Sequence, residues 1–288
     1  MSYLVGFLMI AVALAPQANA RSRSARQFAS GVSLVEVYAN VFDPQGQPVT
    51  GLTADDFRVS EDGESQRITT FAAGEFPLSV AIGIDRSFSM AGPRLALAKS
   101  AARIFLDALR PDDQAMVVAV GSEHGIVAPL SPDRAEARAA IDRLDAWGTT
   151  PLYDATLAAL DAIQPAKGRR ALVLISDGSD RYSRATAAEL VDEVRRRDVL
   201  IYPIAIGGAR PAIFAELSTA TGGRTLFAQD RRELQAGLAT IARDLRLQYL
   251  IGYAPSRVLE AEPAWHSIQV QVRQPNLRVR ARDGYVSR

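Results

Sequence analysis

The 288-residue chain contains no cysteine. That excludes a disulfide framework, a thiolate metal centre and lipid attachment through an N-terminal Cys. Lysine is nearly as scarce, occurring only at Lys99 and Lys167, so almost all of the 33 basic residues are Arg. They are balanced by 32 acidic residues, for a formal net charge of +1, and are spread along the chain. The densest cluster, Arg195-Arg196-Arg197, falls at the end of an expected helix, where cations suit the helix dipole. No nucleic-acid-binding face follows from such a distribution. Only two histidines are present, His124 and His266, and neither stands in triad order with a serine. There is no Gly-rich phosphate loop, no His-Glu-x-x-His and no zinc spacing, so no catalytic residue is identified and an enzyme is not expected.

What remains is an ordinary globular composition, 48% hydrophobic and 23% charged, long enough for one large or two modest domains. Residues 1–20 read as a secretory signal peptide. The stretch from Tyr3 to Ala15 is almost continuously apolar but short for a bilayer span, and Ala18-Asn19-Ala20 is an A-x-A cleavage site. No Lys or Arg precedes the apolar stretch, and Arg21, Arg23 and Arg26 follow it, so an uncleaved membrane anchor is the alternative. The expected location is secreted or periplasmic, without stable membrane insertion once the peptide is removed. Residues 21–30 are polar and Arg/Ser-rich, as in a disordered mature N-terminus.

Strand patterns follow. Ser33 to Phe42 alternates partially with period two, and Asp56–Ser60 and Gln66–Phe71 flank Glu61-Asp62-Gly63-Glu64, a hairpin signal. Residues 77–246 alternate strands and helices, which argues for a mainly parallel, doubly wound α/β sheet covered on both faces. Pro93 to Arg110 carries a helix-period apolar face. Ser131-Pro132, Thr150-Pro151 and either Ser183 or Thr186 are expected to open further helices. Gln114–Val120, Ala171–Ser176 and Val199–Ile206 read as core strands. Pro203 is a misfit there, because an interior strand needs every N–H, so that strand is expected to be open on one side. After a helix over Arg231–Arg246 the strands return at Leu247–Tyr253, Trp265–Val272 and Leu277–Arg282. The two terminal blocks, 31–76 and 247–288, are each too small for an all-β core of their own. They are expected to pair into one β-sandwich into which the α/β domain is inserted.

The segments that carry chemistry lie at strand ends. Leu78 to Ile84 is an apolar run that ends in Asp85-Arg86-Ser87-Phe88-Ser89, an Asp-x-Ser-x-Ser pentad. One carboxylate and two hydroxyls at alternate positions offer hard oxygen ligands for a small divalent cation. Thr150, before Pro151, places a hydroxyl at a helix entrance. Asp177-Gly178 follows a second buried strand, adding another carboxylate. Singly, each position has a structural reading, as an N-cap or a turn. Jointly, three oxygen-bearing loops at the carboxyl ends of α/β units converge on one crevice.

In order and spacing this set resembles the metal-ion-dependent adhesion site of von Willebrand factor type A domains. The flanking segments Pro48–Phe57 and Gln248–Tyr253 extend the resemblance to a secreted bacterial family called VWFA-related, abundant in acidobacteria. The resemblance implies Asp85, Ser87, Ser89, Thr150 and Asp177 as metal ligands. It further implies a protein partner whose Asp or Glu carboxylate completes the coordination. Five oxygen groups with two formal negative charges suit Mg²⁺ or Mn²⁺ better than Ca²⁺. Phe88 stands where such sites often carry Gly, and it either packs inward or joins Arg86 and Trp147 on a ligand-binding rim. Arg86 has a further alternative, reaching over the carboxylates to occupy the site. The functional reading is a metal-dependent protein-binding module. Its alternatives are a structural cell-envelope component with an unoccupied site and, behind that, a metal-dependent hydrolase.

Overall fold

The computed structural model describes residues 34–74, 76–256 and 262–287. The signal-peptide and disordered-terminus expectations for 1–20 and 21–30 lie outside the described residues. The chain begins with β1 (Val35–Phe42), β2 (Phe57–Glu61), β3 (Glu64–Gln66), β4 (Ile68–Gly74) and β5 (Leu78–Asp85). Next come α1 (Pro93–Ala108), β6 (Gln114–Val120), β7 (Gly125–Ser131), α2 (Ala135–Arg143), α3 (Leu152–Ile163) and β8 (Arg169–Ser176). Then follow α4 (Ala187–Arg195), β9 (Leu200–Ile206), α5 (Ala212–Thr221), β10 (Leu226–Ala228) and α6 (Arg231–Arg246). The chain closes with β11 (Gln248–Tyr253), β12 (Trp265–Val272), β13 (Arg278–Arg280) and β14 (Gly284–Val286).

Every residue of β5 is buried, as its unbroken apolar run requires of a strand covered on both faces. It lies inside a six-stranded sheet of order β10-β9-β8-β5-β6-β7, parallel except for the β6–β7 pair. Phe105 and Leu106 of α1, Ile141 of α2 and Leu238 and Ile241 of α6 pack on one face. Leu160 of α3, Leu190 of α4 and Phe214 of α5 pack on the other. This is a doubly wound α/β fold. From β5 the chain moves outward to β6 and later returns to β8 on the opposite side of β5. The carboxyl ends of β5 and β8 therefore border a topological switch point, where crevices open in such sheets.

The terminal blocks interleave. One four-stranded antiparallel sheet has the order β13-β1-β11-β4 and the other β14-β12-β2-β3, so each draws strands from both ends of the chain. Val37, Val41, Phe57, Val59, Tyr249, Ile251 and Tyr253 form their shared core. Phe57, Phe71 and Tyr249 have ring centroids 5.0–5.9 Å apart, inside the range of favourable aromatic contact. The β2–β3 hairpin turns on Asp62 and Gly63, both at positive φ, the geometry that twisted two-residue hairpins demand.

Two local expectations need correction. The second helix does not open at Ser131-Pro132. Ser131 ends β7, an edge strand whose exposed flank also tolerates Pro129, and α2 starts at Ala135. Pro203 is buried, yet its missing N–H costs no ladder bond, because β9 pairs with β10 only from Ile204 onward. The strand is unpaired on that side, as the proline requires, while its side chains are covered. Among the described residues no helix is long and apolar enough to cross a membrane.

Candidate functional site

Asp85 is the last residue of β5 and is fully buried. Its Oδ1 accepts the backbone N–H of Ser87 at 2.9 Å, and its Oδ2 accepts the Ser176 hydroxyl at 2.6 Å. The first bond folds the pentad back over the strand end. The second comes from the terminal residue of β8. Burial pushes the Asp85 carboxyl above the ordinary carboxylate range; these hydrogen bonds oppose the shift and the nearby negative charge of Asp177 adds to it. A buried carboxylate held in this way is an anion short of a counter-charge.

Ser87 is buried and Ser89 exposed, with their hydroxyl oxygens 3.0 Å apart. That spacing is a hydroxyl–hydroxyl hydrogen bond, and it also matches the separation of neighbouring metal ligands. Two adjacent ligands of an octahedral Mg²⁺, each about 2.1 Å from the ion, lie about 3.0 Å from one another. All five candidate side chains offer hard oxygens, so the donor set and this spacing both fit Mg²⁺ or Mn²⁺.

The other loops are stitched to the pentad through backbone bonds. Arg86 N–H donates to Val120 O at the end of β6, Trp147 N–H to Arg86 O at 2.7 Å, and Phe88 N–H to Gly148 O at 3.0 Å. This places the segment 147–150 directly against Asp85–Ser89. Thr150 is buried two residues before α3, and its carbonyl accepts Arg181 N–H at 2.7 Å. The 177–186 loop is pinned in turn to the start of α3. Asp180 accepts Tyr153 N–H and the Ser183 hydroxyl, and Asp154 accepts the N–H groups of Arg184 and Ala185. Asp177 is buried, and its Oδ1 accepts Ser179 N–H. The three candidate loops thus meet at the carboxyl ends of β5 and β8.

Around this cluster the surface is aromatic. Phe88 is 65% exposed and Trp147 45%, so the Phe88 ring does not pack inward. Tyr182, 79% exposed at a positive φ of 70°, follows Arg181, whose N–H is bound to Thr150 O. Arg86 does not reach over the carboxylates, because its Nε donates to Asp145 O. Arg94 approaches one of them, with Nη1 3.6 Å from Asp177 Oδ2 and 3.0 Å from Ser89 O.

Three residues at the site escaped the sequence reading. Ser176 was visible as the one polar residue closing an apolar strand. Tyr182 and Arg94 carry no local signal, because each arrives through a loop or helix contact. His266 lies in the β-sandwich, with Nδ1 2.7 Å from Asp62 Oδ2.

Residues 80–179, spanning β5 to the Asp177 turn, match the model of the von Willebrand factor type A domain. That segment, 100 of the 288 residues, is similar to type A domains. Among solved structures, a von Willebrand factor type A protein from Catenulispora acidiphila superposes with a TM-score of 0.53 at 16% identity, covering 81% of this chain and 73% of that one. The conserved hypothetical protein BatB from Bacteroides thetaiotaomicron gives 0.50 at 16% identity, over 58% of this chain and 97% of its own. The PilB minor pilin from Streptococcus sanguinis gives 0.50 at 13% identity, over 60% and 62%. At these identities the likeness is one of fold. No curated protein sequence matches the chain significantly.

Proposed function

We propose that the type A domain of this chain is a metal-dependent protein-binding module. In this reading Asp85, Ser87, Ser89, Thr150 and Asp177 hold Mg²⁺ or Mn²⁺. The observation that carries it is the Asp85–Ser87–Ser89 cluster, a buried carboxylate beside two hydroxyls spaced 3.0 Å apart. The cation would supply an electrophilic position for an oxygen ligand. The chain's own residues orient that position, shield it with Phe88 and Trp147, and leave it open to an Asp or Glu side chain of a partner protein. Rim aromatics beside a charged centre are the composition of interaction hot spots. Residues 77–246 would be the binding module, and segments 31–76 and 247–288 its β-sandwich mount. A secreted or periplasmic setting is part of the same reading, through the expected signal peptide.

Calorimetric titration of Mg²⁺ and Mn²⁺ into residues 21–288, alongside Asp85→Ala and Thr150→Ala, tests the proposal. Binding heat in the parent that disappears in both variants supports it. No binding at millimolar cation would favour a structural envelope role that is indifferent to metal.

A further inference from the structure

We infer that Arg94 is a built-in cation of this site, sharing Asp177 with the divalent ion and thereby setting how tightly that ion binds. The inference rests on the metal-site reading above and adds a residue to it.

Arg94 is the second residue of α1, and its side chain is half exposed. A helix N-terminus is a poor place for a cation, since the macrodipole is positive there. The helices α2, α3, α4 and α6 instead carry Glu136, Asp154, Glu189 and Glu233 in their first turns. Helix stability therefore gives no reason for Arg94. The contacts of its guanidinium do. Nη1 donates to the carbonyl of Ser89, the last residue of the pentad, and lies 3.6 Å from Oδ2 of Asp177. The head group packs beside Gly207, which follows β9 and has φ +102°; a Cβ there would lie 3.7–3.8 Å from Nε, Cζ and Nη2. One side chain thus spans three strand-end segments and holds a fixed positive charge beside a buried carboxylate.

The charges have two consequences. Asp85 and Asp177 together carry two negative charges, so without Arg94 a bound divalent ion would leave the centre neutral. With Arg94 the metal-loaded centre retains one positive charge, which an incoming carboxylate neutralises. The same charge repels the metal itself. Arg94 therefore trades cation affinity for attraction toward an anionic ligand.

The test is titration of Mn²⁺ alone into the parent, Arg94→Gln and Arg94→Lys. Because Arg94 is exposed, its replacement leaves the fold intact, which circular dichroism would verify. Arg94→Gln is expected to bind Mn²⁺ about tenfold more tightly than the parent, the effect of one partly screened unit charge at close range. Arg94→Lys, which keeps the charge, is expected to stay within about threefold of the parent. Equal affinities in the parent and Arg94→Gln would overturn the role of Arg94 while leaving the metal site standing. A lysine variant that follows the glutamine variant would also overturn it, since charge would then not be the cause. If the parent and both single variants fail to bind Mn²⁺ at millimolar concentration, the metal-site reading itself fails and this inference falls with it.

Discussion

Ser176 Oγ donates a 2.6 Å hydrogen bond to Asp85 Oδ2 and itself accepts Gly178 N–H at 2.9 Å. One buried hydroxyl at the end of β8 thus joins the carboxylate of β5 to the turn that carries Asp177. Its removal leaves an acceptor and a donor unsatisfied in a buried place, at a cost of about 1–3 kcal/mol. Ser176→Ala is therefore expected to lower the unfolding free energy by that amount in urea titration. It should also weaken Mn²⁺ binding about tenfold, because Asp85 loses the bond that orients it.

The raised pKa of Asp85 makes the metal-free protein pH-dependent in a direction opposite to most carboxylates. A carboxyl whose folded pKa lies above its unfolded value contributes stability that is fully present below the unfolded pKa, about 4, and is lost as pH rises through the folded value. Asp85→Asn removes this loss. At pH 7 without metal the variant is expected to be about 1 kcal/mol more stable than the parent, and near pH 4 the two should converge. Added Mg²⁺ should raise the melting temperature of the parent only. A parent that melts above Asp85→Asn in chelator at pH 7 would contradict this account.

Asp113 behaves in the opposite sense. Its burial raises the carboxyl pKa, but hydrogen bonds from Arg246, Arg110 N–H and Leu78 N–H outweigh burial and hold it below the ordinary range. A depressed carboxylate contributes stability present above the unfolded pKa and lost as pH falls through the folded one. Asp113→Asn should destabilise the protein by about 3 kcal/mol at pH 7, since Arg246 is left half-paired in a largely buried place. The deficit should shrink below pH 4. Guanidinium unfolding at pH 7 and pH 3 measures both values.

Gly178 has φ +79°, and a Cβ built on it would lie 2.0 Å from Pro211 Cγ. Both strain and overlap oppose any side chain there. Gly178→Ala is expected to cost about 2 kcal/mol or more. Because the turn it opens carries Asp177, Mn²⁺ affinity should fall in parallel. A variant with parental stability but lost metal binding would separate these two effects and contradict a shared cause.

Much of the architecture was legible in the sequence because buried parallel strands are written as unbroken apolar runs. Leu78–Ile84 and Ala171–Ser176 announced the centre of the sheet, and Thr186 with Glu189 forms the capping box that opens α4. The edge strands were not legible. β7 and β10 lie at the two edges of the sheet, where half-exposed residues carry weak periodicity.

The candidate site divides in the same way. Asp85, Ser87, Ser89, Thr150 and Asp177 could be named from local pattern, because strand ends in an α/β sheet point to one edge. Arg94, Ser176 and Tyr182 could not be assigned from that pattern. Their roles depend on a guanidinium crossing from helix to loop, a hydroxyl reaching a neighbouring strand and a loop pinned to Thr150, contacts between segments far apart in the chain. Local sequence determined the strands, the turns and the oxygen-bearing residues at the strand ends, since those follow from burial and backbone preference residue by residue. Only the tertiary structure decided which cation stands beside Asp177 and whether Phe88 faces solvent, because side-chain reach across a folded crevice has no sequence period.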